Sequence, residues 1–299
     1  MRPFVARCAG QPSSPRIREG NVVVARLRSP VHSANPSAPG PLARTALHLG
    51  LLVPIELTDC SFSYRKRIPV LDRVNLTFTR GTNVLLGPNG AGKSTLLALG
   101  ASAMQPDSGR VRLNGVGTRS RSDLRTYRRR VGWLPQQVQP IPGLRVREQV
   151  AYAGWLKGMT RKEAWAASLD ALGRVDLADL AQRRGTELSG GQLRRLGIAQ
   201  VLVHAAEVVL MDEPTAGLDP RQRRVFRELV ERLAPHTSVV VSTHQTEDLA
   251  DVYDNVVVLD RGRVRFQGSV ESFFALAPAG TSAERHAEAA YARVVTTED

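Results

Sequence analysis

One run of nine residues carries the clearest chemical signal in the sequence: Gly87-Pro88-Asn89-Gly90-Ala91-Gly92-Lys93-Ser94-Thr95. It fits the pattern G-x-x-x-x-G-K-[ST], in which glycines let backbone N–H groups converge on an anion. Lys93 can place a positive charge on the outer phosphates of a nucleotide, and Ser94 can offer its hydroxyl to Mg²⁺. The run, called the P-loop below, therefore predicts a nucleoside triphosphate site.

The residues on either side of the P-loop predict the elements that would hold it. Residues 83–86 are apolar and β-prone, which indicates a buried strand. Residues 94–104 are rich in Leu and Ala, which favours a helix. A loop between a strand and a helix places its N–H groups at a helix N-terminus, where phosphate binds well. A glycine-rich turn that merely precedes Lys-Ser is the alternative, and it would not need these flanks.

Two acidic residues follow a second apolar run further along the chain. Residues 208–211 predict a buried strand, and Asp212 and Glu213 come directly after it. Ligands of parallel α/β sheets bind at the carboxyl ends of the strands. Asp212 is expected to help hold Mg²⁺, and Glu213 to orient or polarise the attacking water. The alternative is that the acids cap the next helix, but the P-loop upstream favours catalysis.

A third motif, Leu188-Ser189-Gly190-Gly191-Gln192, lies between the P-loop and the acidic pair. Ser189 can cap the helix that follows, and the two glycines expose N–H groups to an anion. This motif resembles the signature sequence of ATP-binding cassette (ABC) proteins, and the resemblance covers about residues 54–282. It implies an α/β P-loop NTPase fold, the ABC ATPase, with a mostly parallel core sheet, an antiparallel β subdomain and a helical insertion.

The same resemblance gives roles to further positions. Tyr64 resembles the aromatic residue that stacks on adenine, with a place in the strand core as its alternative. Gln136 resembles the Q-loop glutamine that contacts Mg²⁺ and senses the membrane partner, although Gln137 follows directly and the assignment could shift by one. Asp219, in the D-loop Gly217-Leu218-Asp219, resembles the residue that contacts the opposite subunit. His244 resembles the switch histidine that reaches the γ-phosphate.

The predicted site thus combines three sets of residues. The catalytic residues are Lys93, Glu213 and His244. The Mg²⁺ ligands are Ser94, Gln136 and Asp212. ATP is expected to contact the whole P-loop together with Tyr64, Gln136, Ser189, Gly190, Gly191, Gln192 and Asp219.

Composition and charge limit the other possibilities. The chain has 299 residues, 42% of them hydrophobic, and a net charge of +13. No stretch approaches the ~18 uncharged apolar residues of a membrane-spanning helix, and the two cysteines form no metal-ligand pattern. Arginines cluster in residues 1–50 and 119–130. Such clusters can bind nucleic acid or anionic lipid, but a solvated arginine-rich surface is the favoured interpretation.

Changes in composition predict the domain boundaries. Residues 1–53 are basic and rich in Pro and Ser, which predicts a disordered tail; a transit peptide and a start site placed too far upstream are the alternatives. Residues 54–282 form the expected ATPase domain, with a helical insertion at about 142–187. Residues 283–299 are polar and Ala-rich, so a flexible, fraying C-terminal tail is expected.

The family resemblance implies ATP hydrolysis that drives transport. Two copies packed head-to-tail would hold each ATP, with Mg²⁺, between the P-loop of one and the signature of the other. The expected partners are this second copy and an integral membrane permease, which would keep the chain cytoplasmic at the inner face of the cell membrane. Residues 146–149 (Val-Arg-Glu-Gln) and 242–248 resemble exporters of the ABC-2 type, so export is expected.

Two other functions are alternatives. A soluble ABC-type ATPase could act on nucleic acid or ribosomes through the basic tail, but such proteins commonly carry two cassettes or long coiled-coil insertions. Only one P-loop and one signature occur in this sequence, and no nucleic-acid partner is expected. A nucleotide kinase would share the P-loop, but it would lack the signature.

Overall fold

Two β-sheets organise the part of the chain that the computed structural model describes, residues 55–65, 68–246, 249–282 and 285–296. The predicted tail 1–53 lies outside the described residues. The strands are, in chain order, β1 Ile55–Arg65, β2 Ile68–Phe78, β3 Thr82–Leu86, β4 Ser108–Leu113, β5 Val116–Gly117, β6 Val131–Leu134, β7 Val208–Asp212, β8 Ser238–Thr243, β9 Asn255–Asp260 and β10 Arg263–Ser269.

The smaller sheet is antiparallel and has the order β2-β1-β4-β5. Asn114 and Gly115 connect β4 to β5 with φ angles of 52° and 75°. Both angles lie in the left-handed region that hairpin turns of the Asn-Gly type require. One face of this sheet contributes Leu57, Leu76 and Val111 to a core that it shares with the larger sheet.

The larger sheet has the order β10-β9-β3-β8-β7-β6. Its strands are parallel from β9 to β6, and only the β9–β10 pair at one edge is antiparallel. Strands β3, β7 and β8 are buried along their whole length, as parallel strands covered on both faces must be. Because parallel strands end at the same edge, the residues after β3, β8, β7 and β6 lie in a row.

Helices connect these strands and cover the sheets. They are α1 Lys93–Gly100, α2 Arg121–Arg130, α3 Val146–Leu156, α4 Arg161–Gly173, α5 Gly190–Leu202, α6 Pro220–Leu233, α7 Leu249–Val252, α8 Val270–Phe274 and α9 His286–Thr296, with short 3₁₀ turns at Ala178–Leu180 and Gly185–Glu187. Helices α3 and α4 and both 3₁₀ turns lie between β6 and β7 and form the helical insertion. None of the described helices is long and apolar enough to cross a membrane.

Helix α1 ends earlier than the sequence predicted. The expected helix ran from 94 to 104, but α1 stops at Gly100 and the chain then turns. Ser102 adopts a φ of 56°, and the N–H groups of Ala103 and Met104 both donate to the carbonyl of Ala98. A left-handed residue after the last turn is a common way to end a helix. Leucine and alanine content alone carried no information about this turn.

Part of the segment predicted to be a fraying tail is helical. Residues 286–296 form α9, in which Ala290 is fully buried. Tyr291, Val294 and Val295 pack beside it against a core cluster that includes Phe273. Apolar residues at this spacing share one face of a helix. The flexible tail over 283–299 stays a prediction, but it rested on composition and overlooked this spacing.

Candidate functional site

The P-loop connects β3 to α1, and its glycines are needed for the way it packs. Gly90 and Gly92 have φ angles of 85° and 104°, which glycine adopts without strain. A Cβ at Gly92 would lie 2.9 Å from the side chain of Leu71, and one at Gly87 would collide with the carbonyl oxygen of Leu259. The loop thus lies close to β2 and β9, with Gly92 as the N-cap of α1.

The Lys93 ammonium is buried inside this loop. Its Nζ donates to the carbonyl oxygens of Gly87 at 2.7 Å and Pro88 at 3.1 Å. The same Nζ lies 3.4 Å from Oε1 of Glu213, and the two side chains are only 6% and 9% exposed. Two residues that the sequence predicted for one site, 120 positions apart, therefore form a buried ion pair.

Glu213 also contacts the predicted switch histidine. Nδ1 of His244 lies 3.0 Å from Oε2 and 3.2 Å from Oε1 of Glu213. The contact follows from the sheet order, since β7 and β8 are neighbours and both residues come directly after their strands. The carboxylate therefore lies between a buried lysine and an exposed histidine ring, so both side chains fix its position.

The predicted magnesium ligands fit the ion by donor type. Ser94 offers a hydroxyl on an exposed side chain at the start of α1, and Gln136 an amide on an exposed side chain after β6. Asp212 is 3% exposed, and its Oδ1 accepts a 2.7 Å hydrogen bond from Ser242 Oγ, which orients the carboxylate. Within the described ranges no cluster of three or more His, Cys, Asp or Glu side chains could hold a metal. Mg²⁺ usually keeps several waters, so a hydroxyl, an amide and a carboxylate suit it.

Tyr64 is an exposed residue beside the P-loop. Its side chain is 64% exposed, which rules out the alternative of a core strand residue. The ring packs edge-to-face against Phe62 with centroids 5.1 Å apart, and its hydroxyl lies 3.1 Å from Oγ1 of Thr95. The open face of the ring is free to stack on a planar group that enters next to the P-loop.

The signature residues begin α5 as a capping box. Ser189 Oγ accepts from the N–H of Gln192 at 3.4 Å, and Gln192 Oε1 accepts from the N–H of Ser189 at 2.9 Å. Gly190 and Gly191 line a cleft of about 360 Å³ together with residues 136–139, 193–194, 216–218 and 222. None of the P-loop residues, all of which the structure describes, lines this cleft.

Asp219 is the N-cap residue of α6. Its Oδ1 accepts a 2.8 Å hydrogen bond from the N–H of Gln222 and so caps α6, while Pro220 occupies the first position of that helix. Gly217 before it has a φ of 73°. Asp219 lies exposed beside the signature cleft, which residues 216–218 line.

Sequence reasoning missed two residues that contact the acidic pair. Ser242 bonds to Asp212 through its Oγ, and the same oxygen accepts from the N–H of Glu213 at 3.0 Å. Arg194 on α5 donates from Nη2 to the carbonyl oxygen of Glu213 at 3.1 Å. The one available signal for Ser242 was a polar residue inside a buried apolar strand. Arg194 stood out only as a cation in the helix that follows the signature.

Comparisons with known proteins agree with this geometry. The model of the ABC transporter family matches residues 71–216. The chain is 38% identical to the cobalt import ATP-binding protein CbiO of Rhodobacter capsulatus, over 70% of this chain and 76% of that protein. It is 31% identical to the ABC transporter ATP-binding protein NatA of Bacillus subtilis, over 74% of this chain and 91% of that protein.

A solved structure matches as well. It is the dimeric post-hydrolysis state of the ATP-binding cassette MJ0796 bound to ADP and Pi, with a TM-score of 0.65 and 27% identity. The match covers 72% of this chain and 98% of that one. The chain belongs to the ABC transporter family and is one of its ATP-binding, ATP-hydrolysing proteins. The predicted fold class is thereby confirmed.

Proposed function

We propose that this chain is the ATPase subunit of an ABC transporter and that it couples ATP-driven dimer closure to transport through a separate permease. The observation that carries the proposal is the meeting of Lys93, Glu213 and His244 at the end of adjacent strands. A buried cation, a carboxylate and a histidine at one edge of the sheet are the groups that hydrolysis of a phosphoanhydride needs.

In this proposal each side chain has a defined role in binding or hydrolysis. Lys93 exchanges its carbonyl and carboxylate partners for the outer phosphates of ATP. Glu213, once released from Lys93, orients the attacking water and accepts its proton, while His244 holds the carboxylate and reaches the γ-phosphate. Ser94, Asp212 and Gln136 would hold Mg²⁺, which when bound supplies charge that balances the phosphates. Tyr64 stacks on the adenine.

The second half of the site comes from a second copy of the chain. The signature lines a cleft without the P-loop, so head-to-tail pairing would bring Ser189 and Gly190 of one copy to the ATP held by the other. Backbone N–H groups at the start of α5 would then meet phosphate oxygens. The dimeric state of the similar cassette MJ0796 supports two-copy assembly.

The helical insertion provides a surface for the permease. Five of its side chains are large, hydrophobic and more than 40% exposed: Tyr152, Trp155, Leu156, Trp165 and Leu169. Tyr152 and Trp155 stack with centroids 5.8 Å apart, and the Arg147 guanidinium lies 4.0 Å above the Trp165 ring. Exposed aromatic side chains with a nearby arginine are typical of protein–protein interfaces. Binding there would keep the chain at the cytoplasmic face of the membrane.

The direction of transport is proposed from the sequence alone. The resemblance of residues 146–149 and 242–248 to ABC-2 exporters supports export. The name of the relative CbiO is that of an import protein, so import is the second candidate. Cells that lack this chain should retain more of the cargo if it exports, whereas reduced uptake by these cells would establish import.

A role on nucleic acid or ribosomes has less support in the structure. Within the basic run 119–130, three arginines bond inside the protein: Arg119 to the Gly109 carbonyl, Arg128 to Ser102 and Arg130 to both carboxylate oxygens of Glu207. These side chains stabilise the fold around α2, so fewer of their N–H donors are available to the phosphates of an anionic polymer.

Purification of the tagged chain from detergent-solubilised membranes tests the function. A multi-span membrane protein should co-purify, and a variant with Trp155 and Trp165 changed to serine should lose it while keeping its own ATPase activity. Sedimentation of the chain with ribosomes, abolished by ribonuclease, and no membrane protein in the pull-down would contradict the transporter function.

A further inference from the structure

Arg194 lies in the second turn of α5, five residues after Ser189, and its side chain is partly buried. Nη1 donates to the carbonyl oxygen of Gln136 at 2.7 Å and to that of Pro135 at 3.2 Å. Nη2 donates to the carbonyl oxygen of Glu213 at 3.1 Å. One side chain on the signature helix thus binds the backbone of both the Q-loop and the acidic pair.

The backbone of Glu213 needs such support. Its φ is 46°, in the left-handed region, which is strained for a residue with a side chain. Strain of this kind persists only where the surroundings fix the conformation. Here the N–H of Glu213 donates to Ser242 and its carbonyl accepts from Arg194, so the residue is held from both sides.

Only a guanidinium suits this position. Arginine presents several N–H donors in a rigid planar fork, whereas lysine has a compact ammonium on a flexible stem. Partial burial lowers the pKa of Arg194, and the charges of Asp212 and Glu213 act in the opposite direction. The cation remains protonated in either case, so its three hydrogen bonds to carbonyl oxygens do not depend on pH.

We propose that Arg194 is a positioning residue for ATP hydrolysis. It holds Glu213 and the Q-loop in a fixed place relative to the signature helix. Glu213, which acts on the ATP bound by its own chain, and the signature, which contacts the ATP bound by the second copy, therefore move as one body. The inference rests on the proposed catalytic role of Glu213 and on the two-copy site.

The chain contains a matched control in the next residue. Arg195 is on the same helix, and its Nη1 also donates to two carbonyl oxygens, those of Val175 and Asp176, both at 3.2 Å. These acceptors lie in the helical insertion, away from the acidic pair. Arg194→Gln and Arg195→Gln therefore remove similar hydrogen bonds, but only the first removes one from Glu213.

Steady-state ATPase kinetics, ATP affinity and thermal midpoints of both variants test the proposal. Displacing a catalytic group by about 1 Å can cost about 100-fold, so kcat of Arg194→Gln should fall at least about tenfold while ATP affinity changes less than about twofold. Arg195→Gln should keep kcat within about twofold of the wild type, even where its thermal midpoint falls equally. Arg194→Lys should recover only part of the loss.

A second arm uses Ser242→Ala, which removes the other support of the same peptide. Since both residues hold Glu213, the losses in the double variant should combine to less than the product of the single losses. Equal kcat for the two glutamine variants, or fully multiplicative losses, would overturn the proposal. If Glu213→Gln hydrolyses as fast as wild type, the role of Glu213 fails and this inference with it; an inactive Glu213→Gln beside an active Arg194→Gln refutes only the inference.

Discussion

Glu213 is the residue on which the site converges. Its carboxylate contacts Lys93 and His244, and its peptide contacts Ser242 and Arg194. The ion pair with Lys93 is buried, and removing one member of such a pair typically costs 3–5 kcal/mol because the other charge is left unpaired. A substitution that keeps size and polarity is therefore the cleanest probe of its chemistry.

Glu213→Gln should retain ATP binding and lose hydrolysis. General-base assistance typically contributes 10²–10⁴-fold, so kcat is expected to fall by at least about 100-fold. Phosphate release measured beside nucleotide binding checks this. Glu207→Gln is the control, because Glu207 directly precedes β7 and pairs with Arg130, whereas the acidic pair lies at the other end of that strand. Equal hydrolysis by the Glu213 variant and the wild type would remove Glu213 from the mechanism.

At the scale of elements, helices α4 and α5 both begin with a capping box. Comparing substitutions in the two boxes therefore separates the effect of a cap on stability from an effect on catalysis. Ser189 caps α5 and Thr160 caps α4, each in a capping box with the residue three positions later. Replacing either by alanine should lower the free energy of unfolding by about 1 kcal/mol. Only Ser189→Ala should also lower kcat in the dimer. If Thr160→Ala lowers it as much, loss of the cap explains both effects.

His204, in the turn that follows α5, makes the stability of the protein depend on pH. Burial of His204 and the charge of Lys157 lower its pKa to about 3, which the backbone of Val131 offsets only in part. The folded state therefore holds the neutral ring, and only the unfolded chain gains a proton as the pH falls below about 6.5. Above pH ~6.5 the titration of His204 does not change the free energy of unfolding. As the pH falls from about 6.5 to 3, the free energy of unfolding decreases progressively.

His204→Leu should remove this loss. Unfolding in urea at several pH values is expected to show a constant difference between variant and wild type above pH ~6.5. Below it, the variant should gain up to about 1.4 kcal/mol per pH unit relative to wild type. A difference that stays constant down to pH ~4.5 would mean that His204 titrates normally in the folded protein.

How far the sequence predicted the site depends on the range of each interaction. The P-loop, the acidic pair and the signature are contiguous motifs, so their residues and flanking strands could be predicted locally. Ser242 contacts the acidic pair because β8 lies beside β7. Arg194 contacts it because the start of α5 lies beside the Q-loop. Sequence pattern does not give strand order or side-chain direction between segments that far apart, so these residues were missed.

At the scale of the whole molecule, the proposed two-copy site assigns the motifs of this chain to two half-sites. Lys93, Glu213 and His244 meet at the edge of the larger sheet, whereas Gly190 lines the signature cleft. The division of the chain into residues 1–53, 54–282 and 283–299 stays a prediction. The central claim is that ATP is hydrolysed between two copies, each of which supplies one half-site.

Two variants can be designed so that each loses one half-site. Lys93→Ala removes the phosphate-binding cation. Gly190→Asp places a carboxylate at the start of α5, where a Cβ would meet no atom within 4 Å. An acid is also well tolerated in the first turn of a helix, so this variant should fold while it repels the phosphates of the partner's ATP.

Mixing these two inactive variants is the most direct test. A mixed dimer contains one complete site, formed by the P-loop of the Gly190→Asp chain and the signature of the Lys93→Ala chain. ATPase activity of the mixture should therefore rise well above that of either variant alone and should depend on total protein concentration. A mixture no more active than the average of its components would contradict a site shared between two copies.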